Sequence, residues 1–316
     1  MLVADESATM LRCLSLLLAF TAVASANGAP VVGGSTVPDG KWPDAVAVLG
    51  TKGSCTGTLV APDVVVTAGH CAEIEPSIVI ANTTDYTAQG GAQVNVKATT
   101  AYPDWQHTYD ISVIVLEQPI PNVTPRQVGT GCTFQELRSA MSVHLVGFGL
   151  TAADGTGDNT LLNEAMVPVV DPDCSQGKGC HAEVAPGGEF VAGGNGTDSC
   201  FGDSGGPVYF DTPRGTVVIG AVSRGVDGSS TPCGGGGIYV RTDKVISWIE
   251  QTTGRTIAKD DCSADGSDSP DAYAAPVGGG CSTTGHGGAG LGIGLALLAL
   301  RRRPRKSRSS RTRRTP

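Results

Sequence analysis

Cations are scarce through most of this chain. Between residues 31 and 280 there are 12 Lys and Arg against 28 Asp and Glu. An acidic body of that kind argues against nucleic-acid binding, which needs clustered cations to neutralise phosphates. Only 4 Met occur in 316 residues. The ten cysteines include no Cys-x-x-Cys pair. Cys180-His181 is the nearest approach to a zinc pattern, and no second ligand pair accompanies it. No internal repeat is visible. No carboxylate-rich loop demands calcium, and no organic cofactor is implied.

What is present reads as exported and strand-rich. Ten well-spaced cysteines fit a disulfide framework in an oxidising compartment. Glycine is abundant, at 45 residues. Short alternating runs punctuated by Gly, Pro or Asp predict strands at 45–50, 56–69, 77–82, 93–102, 111–116, 142–149, 207–210 and 216–223. That spacing suggests a sandwich or barrel. The Gly-rich stretches 187–196 and 234–237 read as loops. Val245, Ile246, Trp248 and Ile249 recur at helical spacing and predict an amphipathic helix over 243–253.

The two ends read as addresses. Residues 10–26 carry Arg12, an apolar core from Leu16 to Val23 and the small residues Ala24-Ser25-Ala26. That is the pattern of a secretory signal over residues 1–26, with Met10 a candidate start. At the other end Cys281, a Gly-rich stretch, LGIGLALLAL and an Arg cluster follow one another. The apolar run is shorter than the roughly twenty residues of a free-standing span. This order is similar to the MYXO-CTERM sorting tag of myxobacterial surface proteins. The resemblance implies anchoring at Cys281, with the Arg cluster kept on the cytoplasmic side. Residues 255–280 read as a flexible linker ahead of a tail at 281–316.

Three segments carry the chemistry: Thr67-Ala68-Gly69-His70-Cys71, Asp110-Ile111 at the head of an apolar run, and Asp198-Ser199-Cys200-Phe201-Gly202-Asp203-Ser204-Gly205-Gly206-Pro207. Gly202-x-Ser204-x-Gly206 also fits the nucleophile elbow of α/β-hydrolases, in which acid and base follow the serine. Here His70 and Asp110 both precede Ser204, and strands do not alternate with long helices. Together the segments resemble the trypsin-like, chymotrypsin-fold serine peptidases over about residues 31–253. Val31-Val32-Gly33-Gly34, Val146-Gly147-Phe148-Gly149, Ser223-x-Gly225 and Gly237-Ile238-Tyr239 agree with that resemblance.

The resemblance implies two six-stranded antiparallel β-barrels with a C-terminal helix, in a peptidase domain at 31–254 behind a short propeptide at 27–30. It implies a triad of His70, Asp110 and Ser204 and an oxyanion hole at Gly202 and Ser204. Asp198 would form the floor of a pocket for Arg or Lys, with Ser223, Gly225 and Gly237 at its walls. Asp203 would pair with a freed Val31 amine. Cys55–Cys71 and Cys200–Cys233 are the implied disulfides. Cys132, Cys174, Cys180 and Cys262 remain, and they allow three connectivities; 174–180 with 132–262 is one of them.

Three positions depart from the family pattern. Pro30, in place of Arg or Lys, precedes Val31, so self-activation is not expected. Val191 stands where a cysteine is usual, with Cys180 a nearby substitute. Arg224 replaces a tryptophan beside the substrate backbone. That change removes an apolar shelf and disfavours basic residues upstream of the cut, and Arg224 is expected to point to solvent. The resulting expectation is an exported, monomeric endopeptidase acting on protein or peptide substrates. A catalytically silent homologue used as a surface binding module is the alternative.

Overall fold

Period-two burial sets the architecture. Along Asn163–Asp171 buried and less buried residues alternate almost without a break, as a sheet with one face to a core requires. In this computed structural model, which describes residues 31–265, twelve of thirteen strands close into two barrels.

The first barrel uses β2 (Ala45–Gly50), β3 (Gly53–Ala61), β4 (Val64–Thr67), β5 (Pro76–Ala81), β6 (Ala92–Ala101) and β7 (Ser112–Leu116). They close in the order β2-β3-β4-β7-β6-β5, every pair antiparallel. Pro62 and Asp63 split the run read as one strand over 56–69 into β3 and β4, because proline cannot donate to a ladder. Val46, Val48, Leu59, Val65, Ile114 and Leu116 fill the interior.

The second barrel joins β8 (Ser142–Gly147), β9 (Asn163–Asp171), β10 (Glu189–Ala192), β11 (Pro207–Thr212), β12 (Gly215–Gly225) and β13 (Gly237–Arg241). Its order is β8-β11-β12-β13-β10-β9, closed by the β9–β8 pairing, while β1 (Ser35–Thr36) adds outside β9. β10 lies inside the stretch expected to be a Gly-rich loop. All four of its residues are buried between β9 and β13, so only its flanks turn. Gly237, read as loop, opens β13.

Between the barrels Trp42, Val66, Val113, Phe148 and Tyr209 belong to one shared cluster. A buried ion pair joins it. Arg126 donates to both carboxylate oxygens of Asp44, and Tyr209 donates to Asp44 Oδ2 at 2.7 Å. The short helix α1 (Gly131–Glu136) has a capping box between Thr130 and Thr133. The C-terminal helix α2 runs Ile246–Thr253, burying Ile246 and Ile249, and stops at Gly254 in the left-handed conformation.

One expectation changes beyond that glycine. The stretch from 255 was read as linker, yet it stays on the body as far as Cys262. Ile257 is buried, Lys259 bridges to Val128, and Asp260 accepts from Thr133 and Arg214. The sulfur of Cys262 is tied to Cys132. The other disulfides are Cys55–Cys71, Cys174–Cys180 and Cys200–Cys233. Residues 1–30 and 266–316, with the signal, propeptide and Cys281 readings, lie outside the described residues. Among the described residues no helix is long and apolar enough to cross a membrane.

Candidate active site

The segment bearing His70 follows β4. Thr67 Oγ1 donates to the Thr56 carbonyl, Ser112 Oγ donates to the Ala68 carbonyl, and Cys71 is tied back to β3 through Cys55. His70 therefore opens a 3₁₀ turn, His70–Ile74, on a braced support. Asp110 lies just ahead of β7 and is 4% exposed. Its Oδ1 accepts the His70 backbone N–H at 2.9 Å, and its Oδ2 lies 2.9 Å from His70 Nδ1. An ionised carboxylate can only accept, so Nδ1 carries the proton and Nε2 is left basic. Ser223 Oγ donates to the same Oδ2 at 2.7 Å. Burial alone would raise the Asp110 pKa. Hydrogen bonds and charge from His70, with the Ser223 bond, outweigh it and hold the carboxyl below its ordinary range.

His70, Ser204, Ser223, Arg224, Gly225 and Phe201 line one cleft of about 370 Å³. Phe201 is 61% exposed at its edge. Ser204 follows a turn that only glycine suits, since Gly202 has φ of +98° and a Cβ there would lie 3.0 Å from Gly149 Cα. One residue holds both ends of the tripeptide Gly202–Ser204. Thr56 donates through Oγ1 to the Gly202 carbonyl at 2.8 Å and through its N–H to the Ser204 carbonyl at 3.0 Å. The Thr56 hydroxyl also accepts from Phe148 N–H.

The family profile for trypsin matches residues 31–249. The chain belongs to the trypsin family. It is similar to serine protease 56 of Homo sapiens, 30% identical over 239 residues. It is also similar to coagulation factor XII of Bos taurus, 26% identical over 247 residues, and to the trypsin Blo t 3 of Blomia tropicalis, 27% identical over 237 residues. These matches cover 70%, 71% and 70% of this chain. They cover 38% of serine protease 56, 40% of factor XII and 85% of the mite trypsin. The chain thus spans about two fifths of the length of the first two relatives.

Two acidic residues of the motif around Ser204 have no cation beside them among the described residues. Asp198 is 2% exposed. It accepts from Ser199 N–H, Gly236 N–H and Tyr239 Oη. Burial, only partly offset by those bonds, raises its pKa. Neither Asp198 nor Gly237 lines the cleft, although Ser199 and Gly225 do; a Cβ at Gly237 would come within 3.0 Å of Asp198 Oδ1. Asp203 is 1% exposed, and burial pushes it up to about 7 against bonds from Cys200 N–H and Gly149 N–H. A side chain at Gly149 would meet this carboxylate at 2.4 Å. Nearby, Val31 is wholly buried, and the Val32 carbonyl accepts from Asp198 N–H at 3.0 Å.

Arg224 does not point to solvent. Its side chain is 27% exposed and forks onto Glu189, whose side chain is wholly buried. The cation at this position is thus paired with a buried carboxylate. At Val191 the cysteine alternative is local. Cys174 bonds to Cys180, and both pack against Val191. Cys55, His70 and Cys71, and separately Cys174, Cys180 and Glu189, have metal-like spacing, but each group holds two disulfide-bonded sulfurs that cannot act as thiolates.

Sequence reasoning missed Thr56, Glu189, Gly236 and Tyr239. Glu189 carried no readable signal, since a charge between two glycine pairs looks like loop. Thr56 carried only its place beside Cys55.

Proposed function

We propose that the chain is a serine endopeptidase that cuts after Arg or Lys through an acyl-enzyme. The observation that carries this reading is the hydrogen-bonded chain Ser223–Asp110–His70 opening on the cleft that holds Ser204. A serine hydroxyl needs an adjacent base to attack at neutral pH. His70 Nε2 takes the Ser204 proton as Oγ bonds to the scissile carbonyl carbon. The oxyanion is held by the N–H groups of Gly202 and Ser204, and losing one such donor typically costs about 10²–10³ in kcat. His70 then returns the proton to the leaving amine, and a water repeats the sequence on the ester. Asp110 stabilises the imidazolium throughout.

Asp198, buried and without a cation, is matched to the Arg or Lys of a substrate entering past Gly225 and Gly237. Asp203 is matched to the amine that cleavage before Val31 would create. Val31 supports this, since a β-branched residue at φ +34° is strained, and that torsion exists only while Pro30 is attached. Pro30 implies that another protease makes the cut. The residue-level boundaries, export by residues 1–26 and anchoring through Cys281 belong to the same proposal. So does action as a monomer on external proteins.

The test is a full chain with an engineered cleavage site directly before Val31, assayed after the cut with peptides differing only in Arg, Lys, Phe or Leu before the scissile bond. Turnover after Arg and Lys that Ser204→Ala lowers by at least about 10⁴-fold supports the reading. Absence of turnover with a free Val31 and intact disulfides overturns it in favour of a silent binding module.

A further inference from the structure

The Arg224–Glu189 pair does more than replace an apolar shelf. A guanidinium has five N–H donors and no acceptor. Arg224 directs two of them at Glu189, Nη1 at 2.8 Å to Oε1 and Nη2 at 3.0 Å to Oε2. Nε and Nη2 donate to the Gly179 carbonyl, and Nη1 donates to Ser223 Oγ at 2.9 Å. All five donors are engaged, so none is left for a substrate carboxylate. The bond to Ser223 has a directional consequence. A hydroxyl has one proton to give, and Arg224 can only donate to it. The Ser223 proton must therefore go to Asp110 Oδ2, where the 2.7 Å contact lies. Arg224 also brings a fixed cation to within three hydrogen bonds of the His70 ring.

We infer that Arg224, held by Glu189, is a positioning residue that acts through Ser223 on Asp110 and sets the proton affinity of His70. This rests on the triad reading above. The ionisable groups around the chain are few. Glu189 faces Arg224, and also His181, whose N–H donates to Oε2 and whose Nδ1 lies 3.8 Å from Oε1. Tyr109 feels the Glu189 charge, and Asp227 lies beside Gly179. Asp110 and His70 complete the set. The cation is bonded directly to Ser223, while its counter-ion reaches Ser223 only through the cation, so the two partners push His70 in opposite directions.

The experiment is histidine-selective NMR titration of the full, disulfide-bonded chain. The His70 ring signals are identified by their loss in His70→Gln, and the acid limb of the peptide pH profile is recorded alongside. Removing the cation with Arg224→Met raises the His70 titration midpoint, and Glu189→Gln, which leaves the cation uncompensated, lowers it, each by about half a pH unit or more. His181 titrates as a separate signal and is followed in the same spectra. Should a buried unpaired charge prevent folding of either variant, the double replacement Arg224→Met with Glu189→Met removes the pair together, which proteins tolerate better. It is expected to raise the midpoint as well, by less than Arg224→Met alone. Midpoints that stay within error, or that move the same way in both single variants, overturn the inference. The NMR readout needs no turnover, so opposite shifts in a chain that hydrolyses no peptide would uphold this inference and overturn the peptidase reading.

Discussion

The buried carboxylates of the two barrels are finished differently. On the first barrel's side, Asp44 is paired with Arg126 and Asp110 with His70. On the second barrel's side, Asp198 and Asp203 receive only N–H and O–H bonds, and burial raises both. A buried charge without a counter-charge is costly, and it persists where a partner arrives from elsewhere. The first barrel thus presents carboxylates already paired, while Asp198 and Asp203 of the second meet no cation among the described residues. Two acids on that side are exceptions: Asp260 is paired with Arg214, and Glu189 with Arg224, through which it reaches Ser223.

This contrast can be broken by substitution. Asp198→Ser removes the carboxylate proposed to meet the Arg or Lys of a substrate. Turnover of Arg and Lys peptides should fall by about 10³–10⁵-fold while that of Phe peptides holds or rises, as steady-state kinetics would reveal. Asp44→Ala leaves the half-buried Arg126 and the buried Tyr209 hydroxyl without their partner. It should cost about 3–5 kcal/mol in a denaturant melt, with little change in specificity between Arg and Lys peptides. Asp203 sharpens the contrast through pH. With residues 1–30 attached, its folded pKa of about 7 lies above the 3.8 of an ordinary aspartate, so the native state binds the extra proton between those values. Its contribution is most favourable below about pH 4 and is lost as pH rises through about 7, by on the order of 4 kcal/mol. Asp203→Asn should flatten that slope in melts taken across the range. Thr56→Val keeps the shape but leaves the Gly202 carbonyl and Phe148 N–H without their partner. It should cost about 1–3 kcal/mol of stability and lower kcat more than it raises KM.

Much of this was legible in the sequence, for identifiable reasons. The motif around Ser204 is read directly because Gly202, Asp203, Gly205 and Gly206 are each confined by a turn or a close contact, leaving few alternatives at those positions. Strands with strict alternation, such as Gln93–Thr99 within β6, announce themselves. β10 did not, because four residues between glycine pairs, headed by a charge, look like loop until β9 and β13 close over them. β9 was hidden by Pro168 inside a regular strand. The Arg224–Glu189 pair was out of reach of pattern reading, since 35 residues separate its members and only barrel closure brings β10 and β12 to opposite sides of β13. The packing of residues 255–262 depends on one long-range disulfide, Cys132–Cys262, among three connectivities that the sequence left open.

The most direct test of the account is to follow hydrolysis of matched Arg and Phe peptides by one preparation before and after cleavage in front of Val31. The account predicts negligible turnover before the cut, strong turnover after it, and a preference for Arg of about 10³-fold or more. Equal turnover before and after would contradict the role given to Asp203, and equal rates on the two peptides would contradict the role given to Asp198.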